Sequence, residues 1–142
     1  MATWDDVRIN LRMQWKVERD DAEAFAILCP VRVGDQDFVQ PVGLAPTDVH
    51  GRPWLAIVAD LFAESGLSPR GALQYADQLP FGSIVLRHDR YLLRHGAPFD
   101  TARPRDLDWT LKVFAYEAVR LRANLTGPGQ AQAQAAFGNY AE

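Results

Sequence analysis

A chain of 142 residues with a net charge of -3 and a single cysteine can fold as one domain that buries roughly two-thirds of its unfolded surface. It needs neither a metal nor a disulfide to do so, and Cys29 alone excludes an internal disulfide framework. No apolar run approaches the ~20 residues that cross a bilayer, the start is acidic where a secretory signal is basic, and no cations cluster into a nucleic-acid groove.

The predicted elements begin at Thr3 and Asp6, whose T-x-x-D spacing is that of a helix start. A first helix is expected from Trp4 to Val17, with Trp4, Val7, Leu11 and Trp15 on one side and Ile9 and Met13 on the other. From Ala24 to Val33 the pattern alternates, placing Phe25, Ile27, Cys29, Val31 and Val33 on one face of a strand. Gly34-Asp35-Gln36-Asp37 is a turn by composition, and Phe38 to Ala45 reads as the return strand. Pro41 has no amide hydrogen, so that strand lies at an edge or is interrupted there. After the loop Pro46 to Arg52, a nearly continuous apolar strand runs from Trp54 to Phe62.

Ser68-Pro69 opens a short helix to Gln78, serine as cap and proline at the first helical position. Ser83 to His88 and Tyr91 to His95 then pair as a hairpin around Asp89-Arg90. Asp106 caps the last helix, from Leu107 to Leu125. At 100° per residue, Leu111, Phe114, Ala118, Leu121 and Leu125 fall within about 40° of Leu107, while Trp109, Val113 and Tyr116 fall opposite. The order αβββαββα describes an α+β domain, residues 1–125, with three helices and one mainly antiparallel five-stranded sheet. Residues 126–142, rich in glutamine and alanine, read as a flexible C-terminal tail.

No residues assemble into recognisable catalytic or metal chemistry. Pairing His88 with Tyr91 puts His95 opposite Ile84, about four residues or ~13 Å from His88, too far for one ion. Asp48 and His50 share a loop without a nucleophile, and Asp106 and Asp108 sit at a helix start, where negative charge is favoured in any case. The catalytic, cofactor and metal expectation is therefore none.

The stronger signal is apolar excess: a helix that covers a sheet uses one side, and the first and last helices each carry two. Large rings such as Trp109 and Tyr116 bury much area and tolerate a wet edge, as interface residues do.

In element order over residues 1–125, and in the phrases Trp54, Leu79-Pro80-Phe81-Gly82-Ser83-Ile84-Val85-Leu86, Tyr91-Leu92-Leu93-Arg94-His95 and Leu107-Asp108-Trp109-Thr110-Leu111, the chain resembles the YbjN and type III secretion chaperone-like superfamily. Its class I members include the CesT-type chaperones. The resemblance implies a bacterial, cytoplasmic, homodimeric protein without cofactors that binds a client polypeptide on apolar grooves. It places client contacts at Ile9, Met13, Phe25, Ile27 and Phe38, and dimer contacts at Leu73 and Tyr75 of the middle helix. Trp109, Val113 and Tyr116 complete the expected protein-binding set, with neither nucleic acid nor membrane as partner. The competing readings are a small-molecule enzyme or sensor using His50, His88 or His95, and a structural subunit of a larger assembly.

Overall fold

The computed structural model describes residues 3–125; the predicted tail at 126–142 lies outside them. The T-x-x-D start is a complete capping box, the Asp6 amide donating to Thr3 Oγ1 at 3.1 Å and the Thr3 amide to Asp6 Oδ2 at 3.2 Å. Helix α1 runs Trp4–Gln14 and stops short of the predicted Val17. Trp15 is extended, at φ -131°, and its amide closes the last turn on the Leu11 carbonyl at 2.8 Å.

The chain then reverses directly into β1, Lys16–Asp20, a strand with no counterpart in the predicted order. Four of its five residues are charged, so the alternation that betrays a half-buried strand is missing. Pairing with the next strand and a clamp from α1 hold it instead. Arg8 and Arg12 both reach the Asp20 carboxylate, Arg12 through Nε at 2.7 Å. Those hydrogen bonds, Arg8 first, hold the Asp20 carboxyl below its ordinary range. The sheet therefore has six strands, not five.

Strands β2 (Phe25–Val33), β3 (Gln36–Val49) and β4 (Arg52–Ala63) follow as a meander. Its turns are two-residue: Gly34-Asp35, with Gly34 at φ +62°, and His50-Gly51, at φ +52° and +83°. Left-handed backbone at both central residues gives the second turn a twist that matches the strands. Hence β3 continues through Pro46 to Val49, which composition marks as loop.

Pro41 leaves its trace in the ladders. The β2–β3 ladder runs unbroken past it to Val33↔Gln36, whereas the β3–β4 ladder ends at Gly43↔Val58. Proline has no hydrogen to donate across a second ladder, so the first half of β3 bonds to β2 only. The sheet parts there into two arms, and β4 bulges at Leu61 on the other side of the parting. Gln40 is buried beside Pro41 and donates through Nε2 to the Pro41 carbonyl at 2.6 Å.

After a 3-10 turn at Glu64–Gly66, α2 runs Pro69–Asp77, with Ser68 Oγ accepting from the Gly71 amide at 3.1 Å. Strands β5 (Ser83–Arg87) and β6 (Arg90–Pro98) add to β4 in the all-antiparallel order β1-β2-β3-β4-β6-β5. Leu86 pairs with Tyr91, so the turn is His88-Asp89 rather than Asp89-Arg90. His88 takes the left-handed position at φ +58° that a two-residue hairpin without glycine demands of some residue.

Helix α3, Pro104–Leu125, lies across β2, β3 and β4. Its predicted stripe of Leu107, Leu111, Phe114, Ala118 and Leu121 is buried, in one cluster with Val7 and Leu11 of α1, Ala72 and Tyr75 of α2, and the inward positions of the sheet. All three helices thus serve the same face of the sheet. On the other face Ala26, Leu28, Ala56, Val58 and Leu92 stay half-buried.

Phe114→Ala removes a fully buried ring under α3 and should cost about 3–5 kcal/mol in urea unfolding. Tyr116→Ala, one turn's edge away on the solvent side, should cost no more than about 1 kcal/mol in the same measurement. Gly82 has φ +79°, and a Cβ there would meet the Arg94 carbonyl oxygen at 3.0 Å. Gly82→Ala should therefore lower stability by about 1–3 kcal/mol, read from the shift in the same transition.

Candidate protein-binding surface

The outward side of α3 is set by the same periodicity that buries its stripe. Trp109 is 62% exposed and Tyr116 41%, with Val113 half-buried between them. The flanking helices approach the two ends of α3 instead: Trp15 at the end of α1 donates through its indole Nε1 to Asp108 at 3.2 Å, and Tyr75 and Leu79 share a small cleft with Arg120 and Leu121 at the other end. The apolar rings are left facing out.

Trp109 is nevertheless held. Phe81, in the loop after α2, stands edge-on to it with centroids 6.4 Å apart at 89°. Phe81 in turn stacks on His95 of β6, centroids 3.9 Å apart at 28°. Ring contacts of this kind fix an orientation and contribute about 0.5–1.5 kcal/mol each. A row of rings therefore runs from the sheet to the surface, ending in an exposed indole with few rotamers to lose on binding.

The remaining predicted positions divide by face. Ile9, Met13 and Leu73 point to solvent, Met13 at 78% and Leu73 at 72% exposed. Phe25, Ile27 and Tyr75 do not belong to any surface: all three are buried in the core. Phe25 and Ile27 occupy the covered face of β2, and Trp4 of α1 closes over Phe25 edge-on at 5.8 Å. Phe38 is half-buried and lines a shallow cleft of about 290 Å³ with Pro30, Val31 and Val39 near the parting of the sheet. Three exposed apolar residues escaped the prediction, Val39 and Val49 on β3 and Leu86 on the terminal strand β5. Strict alternation through Phe38 already implied that Val39 faces the other way.

The histidines lie far apart. His50 and His88 sit in the turns at opposite ends of β4, whose 12 residues separate them, and His95 faces Ile57 near its middle. Among the described residues no three His, Cys, Asp or Glu side chains gather as a metal site. Burial pushes the His95 imidazole below its ordinary 6.5. Comparison with family models, curated proteins and solved structures finds no match to this chain.

A histidine held neutral by burial takes up its proton in the unfolded chain first, so stability is present above pH 6.5 and declines as pH falls below it. Urea midpoints measured between pH 7.5 and 5, a window chosen at roughly one unit or more around the ordinary histidine value, should show this decline in the native protein. The slope should flatten in His95→Phe, which keeps the ring on Phe81 and removes the proton.

Proposed function

We propose that the chain is a non-catalytic protein-binding module that holds a client polypeptide segment on the outward sides of α1 and α3. Trp109 carries this reading: a large ring, exposed at 62% yet braced edge-on by Phe81, is an anchor already set for a partner. Val113 and Tyr116 extend the patch along α3, and Ile9 and Met13 offer a second apolar strip on α1. Contiguous exposed apolar residues of this kind mark interaction sites more often than free surface. The mode matches what resemblance to the secretion chaperones and YbjN-like adaptors implies.

The same reading includes a homodimer formed at β5. The two ends of the sheet differ: β1 is charged and bulged between Val17 and Arg19, devices that discourage strand pairing, whereas β5 carries Ile84-Val85-Leu86 with neither proline nor bulge. Leu86 is 47% exposed, and Leu73 projects from α2, which packs beside β5. A cytoplasmic setting suits the one thiol, Cys29, which burial pushes up to about 12.

Capture from the native cell with wild-type protein as bait should return a client that is lost from the double variant Trp109→Asp, Tyr116→Asp. Recovery of the same proteins by both baits sinks the assignment of the surface. For the dimer, light scattering should give twice the chain mass for the wild type and the single chain mass for Leu86→Lys, since a lysine on an edge strand opposes pairing. A wild-type monomer, or a dimer indifferent to Leu86→Lys, rules out β5 as the joint.

A further inference from the structure

Where α1 ends, the chain turns a corner at Trp15 and Lys16 between the edge of β2 and the start of α3. With Leu28 and Pro30 of β2 and Asp108 and Lys112 of α3 they line an open cleft of about 340 Å³. The β1–β2 ladder begins at Lys16↔Leu28, so the floor beyond that rung is the bare edge of β2. Pro30 has no amide hydrogen to offer there, so its ring adds an apolar surface to the floor in place of a donor. The volume falls at the small end of the roughly 300–1,000 Å³ typical of ligand sites.

The charges on this cleft are distinctive. Lys16 and Lys112 are the only lysines in the chain, and folding brings both to one cleft from opposite ends of the sequence. Neither forms an ion pair among the described residues, whereas Arg8, Arg12, Arg19, Arg32, Arg52, Arg90, Arg103 and Arg120 are paired with carboxylates of the chain itself. Those eight arginines act as internal fasteners, and both lysines are left free. An ammonium on a flexible stem can follow an anion whose position varies, which a planar guanidinium fork does less readily. The one carboxylate in the lining, Asp108, accepts the Trp15 indole hydrogen on Oδ1, and two ammoniums against it leave the cleft positive.

We propose that this cleft binds an amphipathic anion: a carboxylate, sulfonate or phosphate held between Lys16 and Lys112, with an attached flat apolar group on Trp15, Leu28 and Pro30. The same chemistry is carried by a free organic anion and by an acidic residue beside an aromatic one in a peptide. The proposal goes beyond the client surface and uses none of its residues.

The test titrates full-length protein with 1-anilinonaphthalene-8-sulfonate and, separately, with acetyl-Gly-Asp-Phe-Asp-Gly-amide. Saturable binding is expected for at least one probe. Lys16→Gln with Lys112→Gln should weaken it by roughly five- to tenfold, as loss of two exposed charge pairs does, and Lys16→Arg with Lys112→Arg should retain most of it. Trp109→Ala, which removes the client-surface ring without adding a charge near Lys112, should leave it unchanged, and this separates the site from the client surface. Bound probe should also slow acetylation of both lysines by acetic anhydride, read by mass spectrometry. Binding of the sulfonate alone assigns a free anion as the ligand, and binding of the peptide alone assigns a polypeptide. No saturable binding of either probe, equal affinity in the double glutamine variant, or undiminished acetylation of both lysines overturns the proposal.

Discussion

Everything in this fold depends on one stripe, Leu107, Leu111, Phe114, Ala118 and Leu121, pressed by α3 onto the middle strands of the sheet. Fully burying a side chain of the larger kinds in that stripe contributes about 1.5–3 kcal/mol, so the stripe as a whole is comparable to the entire net stability of an ordinary domain. Among the described residues, strands β2, β3 and β4 have no other central cover. With α3 occupying the middle, α1 and α2 can only flank it, and among the described residues its far side meets little beyond the Phe81 ring at Trp109. The exposed indole of Trp109 is thus a geometric result of where the longest helix had to go.

Fastening around that centre is electrostatic at one flank and aromatic at the other. On the α1 side, two guanidiniums share Asp20, with Arg8 also reaching Asp5. An isolated surface pair contributes little, but two arginines converging on one carboxylate of a neighbouring strand fix the orientation of a helix that buries only Val7 and Leu11. On the α2 side, Tyr91 donates its hydroxyl hydrogen to the Leu67 carbonyl at 2.9 Å and packs against Phe62, centroids 5.4 Å apart. That contact ties the approach to α2 down to the sheet.

Much of this was legible from local pattern. The cap at Thr3 and Asp6, the alternation in β2, the Ser68-Pro69 start and the α3 stripe follow from short-range rules of spacing and hydrogen bonding, and they recur in the structure. What escaped depends on partners distant in the chain. Nothing in Lys16 to Asp20 alternates, and only β2 makes it a strand. The hairpin register at His88 turned on a backbone conformation that a histidine adopts without a sequence signature. Phe25 and Ile27 show the converse limit for the binding surface: alternation correctly placed them on one face of β2, but which face the helices would cover is decided by α1 and α3. On α3 the stripe itself specified the covered side, and so its opposite could be read.

The strand order carries a consequence for how the chain assembles. Four of its five ladders join strands that are neighbours in sequence, and only β4–β6 bridges a longer stretch, over α2 and β5. Local closures of this kind lose little loop entropy, so the two halves of the sheet can form early as separate hairpin arrays. The late step is then the joining of β6 to β4 and the docking of α3 across strands made long before it in the chain. A protein built in this order leaves the ribosome with its sheet uncovered until the last helix arrives, a delay in which exposed strand edges are open to wrong pairing.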